Sequence, residues 1–163
     1  MSGITLTGDW KRFEKRLHKL SFLNFTGLHK EIGEALRAST QDRFRKETSP
    51  DGQKWPKSLR AEADKGKTLT DTARLKNSIT YRAGPDGVEL GTNLIYASVQ
   101  QGNKGKETKI KAKSGKWLRF KYGGSWALKK FVTIPARPFI GISEEDIEEI
   151  KAIIKDRIEE SLK

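Results

Sequence analysis

Residues 44–55 read FRKETSPDGQKW, and this stretch marks the end of a helix. Upstream of it, apolar residues recur at helical spacing and alternate with charged ones. The residue before a proline avoids the helical region, and Asp-Gly is a common turn pair, so Pro50, Asp51 and Gly52 predict a tight turn. We therefore expect a long helix over Asn24–Glu47 that ends at this turn.

Two further helices are predicted, one on each side of the central region. Asp9 is a candidate N-cap for a helix that runs to about Leu20. Ser143 is a candidate N-cap for the last helix, whose first turn is acidic. Its apolar residues form one stripe at helical spacing, which we expect to pack on a sheet: Ile147, Ile150, Ile154, Ile158 and Leu162.

The middle of the chain predicts a loop, a helical turn and a hairpin. Residues 53–70 are polar with few apolar anchors, which indicates a long surface loop. Residues 72–78 indicate a short helical turn. The apolar segments 79–82 and 88–90 flank Gly-Pro-Asp-Gly at 84–87, so they predict a β-hairpin.

The next segment begins with a basic stretch, and apolar and polar residues then alternate along it. Residues 103–116 contain six lysines and almost no apolar side chains, which indicates an extended loop. A strand is expected at 117–120, a Gly-Gly turn at 123–124, and a return strand at 126–134, which two following prolines end.

Together these elements predict an α+β fold in a single domain over residues 1–163. The expected architecture is an antiparallel sheet on which two N-terminal helices and a C-terminal helix pack, with a long basic loop and hairpin inserted.

Charge is unevenly distributed along the chain. The net charge is +12, yet residues 103–142 hold eleven basic and one acidic side chain, whereas residues 143–163 hold four and eight. This asymmetry predicts a polyanion near one face, or a basic surface that meets the acidic surface of the next subunit. The alternative is a loop that only aids solubility. The candidate contacts with DNA or a neighbouring protein are Lys104, Lys106, Lys109, Lys111, Lys113 and Lys116.

Residues suited to catalysis are scarce. The chain has no cysteine, which excludes disulfides, thiolate metal sites and cysteine nucleophiles. Its two histidines, His18 and His29, lie among charged residues without a second ligand at metal-binding spacing. We therefore expect no enzyme activity and no catalytic, metal or cofactor site. The apolar runs are far shorter than the ~18 residues of a membrane span, so a soluble protein made inside the cell is expected.

Aromatic residues beside the lysines allow a second interpretation. Basic and aromatic side chains can together bind nucleic acid without sequence specificity, so a binding module at 104–130 is the alternative function. However, residues 117–122 also alternate as a half-buried strand does, and core packing then explains most of the aromatics.

Several segments resemble the phage virion morphogenesis family, which includes the tail-completion proteins of Mu-like phages. The matching segments occur in the family's order: 44–59, 69–79, 88–93, 96–97, 101–102 and 134–143. The chain departs from the family at Ala73, where glycine is frequent, and at Gln100, where histidine is common.

The resemblance implies a small α+β subunit that acts through assembly, in tail completion or head–tail joining. It implies a cyclic homo-oligomer such as a hexamer, with neighbouring tail or neck proteins as partners. The basic loop adds the expectation of non-specific contact with packaged DNA, and no cofactor or membrane is expected. The protein would be present in the host bacterial cytoplasm during assembly and then in the virion. Arg137 is expected to make a charge-assisted bond before the last helix. The implied structural motif comprises Pro50, Asp51, Gly52, Trp55, Arg137, Pro138 and Phe139.

Overall fold

The computed structural model describes residues 10–21, 23–102, 106–113, 116–122 and 125–163. Helices and antiparallel strands are both present, so the α+β class is confirmed. Asp9, Lys104 and the predicted Gly-Gly turn lie outside the described residues. The elements in chain order are α1 (Trp10–Leu20), α2 (Phe25–Lys46), α3 (Leu59–Ala63), α4 (Arg74–Asn77), β1 (Thr80–Gly84), β2 (Gly87–Gly91), α5 (Ala97–Gln101), β3 (Thr108–Lys111), β4 (Leu118–Tyr122), β5 (Ser125–Lys129), β6 (Phe131–Ile134) and α6 (Glu144–Leu162).

Helix α2 is the centre of the fold, and its predicted limits are confirmed. The Asn24 side chain accepts a hydrogen bond of 2.9 Å from the Gly27 amide at the N-terminus. Glu47 ends the helix in the left-handed conformation, with φ of +54°. Because both ends are capped, the free backbone groups of the terminal turns gain partners.

Helix α6 packs on other helices, which corrects the expectation that it covers a sheet. It begins at Ser143 in a capping box with Asp146, as the sequence predicted an N-cap there. Its main contacts are with α2 and α1. The apolar stripe is only partly covered, because Ile147 and Ile154 each remain 36% exposed.

The hairpin of β1 and β2 packs against α2. Its register pairs Thr80 with Gly91 and Gly84 with Gly87, so Pro85 and Asp86 form the turn, as predicted. Helix and hairpin come together closely at Gly33, where a Cβ atom would lie 2.3 Å from the Tyr81 ring.

The predicted surface loop at 53–70 is wrong in an important respect. This segment contains α3, which the Ser58 side chain caps, and three of its residues are buried: Trp55, Ala61 and Thr68. A polar residue helps to anchor this segment, because the Thr68 amide donates a hydrogen bond to the Glu47 carboxylate. The core cluster of the protein comprises Phe44, Trp55, Leu75, Ile79, Ala97 and Phe139.

The described strands form three two-stranded antiparallel sheets, where a single sheet was expected. The predicted loop at 103–116 includes β3, which pairs with β6. The predicted return strand at 126–134 is two strands, because Lys130 interrupts it and only β5 pairs with β4. We call residues 106–134 the basic ribbon.

Candidate assembly surfaces

The Pro-Asp-Gly turn follows α2 and closes on itself. The Ser49 amide donates to the Gln53 carbonyl at 2.8 Å, and the Gly52 amide donates to the Ser49 carbonyl at 3.0 Å. Gly52 adopts a φ of +80°, a conformation that favours glycine. Pro50 and Asp51 therefore occupy the tip of a compact turn that returns the chain toward the core.

Trp55 joins this turn to the segment before α6. Its Nε1 donates to the Pro138 carbonyl at 2.9 Å. Its ring meets Phe44 edge-on at a centroid distance of 5.4 Å, and the Phe139 ring lies 5.3 Å from Phe44 on centroids. The structure thus brings Trp55, Pro138 and Phe139 together, although more than eighty residues separate Trp55 from Pro138.

Arg137 is almost fully buried and binds neutral oxygens. Its Nε donates to the Pro56 carbonyl at 2.8 Å, and its terminal nitrogens donate to the Gln100 side chain and to the carbonyls of Lys57 and Pro135 at 3.3–3.4 Å. Burial lowers the pKa of Arg137, yet an arginine stays protonated in proteins. One charged side chain therefore joins three separate segments of the chain.

Sequence reasoning missed a buried ion pair between Arg43 and Asp146. Both residues are buried, and an Arg43 terminal nitrogen donates to Asp146 Oδ2. The other terminal nitrogen donates to the carbonyls of Phe139 at 3.2 Å and Gly141 at 2.8 Å. The Asp146 carboxylate also accepts from the Ser143 amide at 2.7 Å. The capping-box spacing at Ser143 was a signal for Asp146, but no local pattern pointed to Arg43.

The charge of Asp146 depends on these neighbours. Burial acts to raise the pKa of Asp146, but hydrogen bonds from Ser39 and Ser143 and the positive charge of Arg43 outweigh that effect. The pKa of Asp146 is therefore lower than its ordinary value, and the carboxylate is ionised at neutral pH.

Gln101 is a second residue that sequence reasoning missed, and it also binds the segment before α6. Its Oε1 accepts from the amides of Phe139 and Ile140, each at 3.0 Å, and its Nε2 donates to the Ile140 carbonyl at 2.7 Å. The side chain thus satisfies three backbone groups of the segment before α6. Its place in the family-like segment 101–102 was the only signal.

The basic ribbon supplies an exposed candidate surface. Ladder β3–β6 continues toward ladder β4–β5 through a hydrogen bond of 3.0 Å from the Ala112 amide to the Lys130 carbonyl. Strand β4 contacts α3 of the body. Five of the six candidate lysines are described, and all five are exposed: Lys106, Lys109, Lys111, Lys113 and Lys116.

Aromatic rings on the ribbon are exposed, which corrects the expectation that core packing explains most of them. Trp126 is 62% exposed and Trp117 is 56% exposed, whereas Phe120 is half-buried. The Arg119 guanidinium lies 4.2 Å from the centre of the Trp126 ring. Two further cations cover rings on the ribbon, Lys109 over Phe131 at 4.0 Å and Lys130 over Trp117 at 5.5 Å.

The described residues contain no group of three metal-binding side chains. His18 is exposed, and His29 Nδ1 lies 2.7 Å from the Gly84 carbonyl oxygen, which is a structural contact. Among the described helices, none has the length and apolar character to cross a membrane.

A family model described as the phage virion morphogenesis family matches residues 9–159, which include the Pro-Asp-Gly turn, the segment before α6 and the basic ribbon. The chain has no significant match to a curated protein or to a solved structure.

Proposed function

The chain belongs to the phage virion morphogenesis family, and on that basis we propose that it is a structural subunit in tail completion or head–tail joining. The observation that carries the proposal is the extent of the family match, which covers residues 9–159 of 163. The motif side chains Trp55 and Arg137 support a structural role, since they and Gln101 bond mainly to backbone groups. A scaffold that orients surfaces suits a protein that acts by assembly.

The proposed working form is a closed ring of identical subunits, such as a hexamer, in contact with neighbouring tail or neck proteins. A ring needs two different surfaces on each subunit that fit each other. The basic ribbon supplies nine basic and one acidic residue, and α6 starts with five acidic residues among its first six. These opposite charges on one chain support a head-to-tail contact.

The function can be tested by complementation of a phage that lacks the gene. We expect the null phage to accumulate unjoined heads and tails or defective tails, visible by electron microscopy. Wild-type protein should restore infectious particles, whereas a ribbon variant with Lys109, Lys111, Lys113 and Lys116 replaced by Ser should restore few. A matched control replaces four exposed lysines of the body by Ser: Lys11, Lys15, Lys30 and Lys65. Normal virions from the null phage would overturn the proposal.

Non-specific nucleic-acid binding is the second candidate function, and the exposed lysines of the basic ribbon favour it. Phosphate neutralisation makes affinity fall steeply with salt, by roughly 10³–10⁵ between 50 and 200 mM for six to ten contacts. Titration of duplex DNA against the isolated protein across that range distinguishes the two functions. Tight binding with this slope, lost in the ribbon variant, would favour the alternative.

A further inference from the structure

The basic ribbon contacts the body through β4 and α3 but leaves strand edges and large apolar side chains uncovered. Among the described residues, each of its strands pairs with one other strand, so neither edge of these two-stranded sheets carries a further strand. Two-stranded sheets are marginally stable in water unless another element covers them. The ribbon also exposes Leu128, Trp126 and Phe131, which are 60%, 62% and 50% exposed. This combination indicates a surface that becomes covered on assembly.

The chemistry of the ribbon favours protein over DNA as its partner. Stacked bases would need free aromatic faces. Here Arg119 covers Trp126 and Lys109 covers Phe131, at 4.2 and 4.0 Å, so no more than one face of each ring is left for a base. Phosphates could neutralise the cations but would leave the apolar area of Leu128 exposed. Trp, Phe and Arg are enriched at protein interfaces, where aromatic and cationic groups are buried together.

The start of α6 has the complementary character. Glu144, Glu145, Glu148 and Glu149 are all exposed. Within the part of the chain that the structure describes, Glu148 alone of the four forms an ion pair, with Lys151 at 2.8 Å. Apolar side chains are exposed among these acids: Ile142 is 61% exposed and Ile147 is 36% exposed. The fifth acid of this stretch, Asp146, is turned inward to Arg43 and leaves the surface to the others.

The two surfaces belong to different parts of one subunit. The ribbon joins the body through the contact of β4 with α3, whereas α6 packs on α1 and α2. When one molecule carries two different complementary surfaces, the first surface of one copy can bind the second surface of the next, head to tail. Repetition of this contact closes a ring when the rotation between neighbouring copies permits.

From these observations we propose that the exposed cationic and aromatic face of the basic ribbon binds the acidic first two turns of α6 on a neighbouring copy of the chain. The proposal rests on the proposed ring-forming function and assigns its contact. The interface combines carboxylates with Arg119 and Lys121, which lie cross-strand from Leu128 and Trp126 on one face of the β4–β5 ladder. It covers Trp126 and Leu128 with Ile142 and Ile147.

Charge reversal tests this contact. The ribbon variant is Arg119→Glu with Lys121→Glu, and the helix variant is Glu148→Lys with Glu149→Lys; all four residues are exposed. Each variant alone should restore at least tenfold fewer infectious particles to the null phage than wild type. The chain that carries all four reversals should restore particles, because each reversed ribbon again meets an opposite charge. The control, Lys11→Glu with Lys15→Glu on α1, should behave as wild type.

Mixing supplies an independent arm. When the ribbon variant and the helix variant are produced together, every contact in an alternating ring joins opposite charges, so particle yield should recover. Sedimentation of the purified proteins should show the same pattern. Each variant alone should form fewer oligomers than wild type, and the mixture of the two variants should recover them.

The outcomes separate this inference from the proposed function. A null phage that assembles normally overturns the function. A null phage that needs wild-type protein, but tolerates either reversal, overturns the inference alone. Loss of particles with no recovery in the fourfold variant or in the mixture also overturns it, and indicates that the ribbon meets DNA or a different protein.

Discussion

Arg43 and Asp146 lie 103 positions apart in the sequence and form an ion pair in which both side chains are less than a tenth exposed. Arg43 also holds two carbonyls of the segment that leads into α6, so the pair fixes where the last helix begins. The acidic surface assigned to the subunit contact starts within this same turn. The ion pair therefore positions one half of the proposed interface.

Removal of one partner of the pair should be costly. Asp146→Ala leaves the Arg43 charge buried, so we expect the free energy of unfolding to fall by about 3–5 kcal/mol. Arg45→Ala removes the pair with Asp42, in which the arginine is 69% exposed, and should cost under about 1 kcal/mol. Urea unfolding measures both. Equal losses in the two variants would contradict a special role for the buried pair.

The ion pair also predicts how stability depends on pH. The pKa of Asp146 is lower in the folded state than its ordinary value, so its contribution is complete above that ordinary value and is lost as pH falls through the folded pKa. The difference in unfolding free energy between wild type and Asp146→Asn should therefore narrow as pH is lowered from 5 to 2. A difference that stays constant over this range would show that the charge of Asp146 does not stabilise the fold.

Gly33 should resist substitution although it lies inside a helix. Alanine normally stabilises a helix relative to glycine, by roughly 0.5–1 kcal/mol. Here the added Cβ would lie 2.3 Å from the Tyr81 ring, so we expect Gly33→Ala to destabilise by about 1–3 kcal/mol through overpacking. In a Tyr81→Ala background the same change should be neutral or stabilising. A loss of equal size in both backgrounds, measured by urea unfolding, would assign the effect to something other than the ring.

The Trp55 hydrogen bond can be separated from the packing of its ring. Trp55→Phe retains an aromatic ring but leaves the Pro138 carbonyl without its 2.9 Å donor. We expect a loss of about 2 kcal/mol in unfolding free energy, from the missing bond and the volume removed. Trp126→Phe on the ribbon is the matched control and should change stability by under about 0.5 kcal/mol, because that side chain is exposed.

Local signals predicted much of the fold. The end of α2 at the Pro-Asp-Gly turn, the Ser143 cap and the hairpin turn at Pro85 and Asp86 each depend on residues that adjoin in sequence. Such features depend on the backbone preferences of neighbouring residues, so they can be predicted from a single sequence.

Other features depend on contacts between distant residues. Strand β3 contains two exposed lysines and one central isoleucine, Ile110, which gives little strand signal; its identity comes from pairing with β6. The stripe of α6 was expected to pack on a sheet, but α2 and α1 cover part of it, because spacing alone shows that a face is apolar and not which element it meets. Thr68 is polar and yet buried, because Glu47 accepts its amide hydrogen bond. The candidate site was likewise predicted in part, with Trp55 and Arg137 named and Arg43 and Gln101 missed.

The basic ribbon leaves the body and returns to it at one place. A Cβ atom on Gly102 would lie 2.5 Å from Ala136 Cβ, and the Arg137 amide donates to the Gln100 carbonyl at 2.7 Å. The chain is thus closed at the base of the ribbon. Outside the contact of β4 with α3, we expect residues added or removed beyond that closure to have little effect on the body, since the entropy of a loop rises slowly with its length. The ribbon is in this sense a segment that can vary independently of the core. Its reach and charge can evolve toward new neighbours while the core that carries it stays the same.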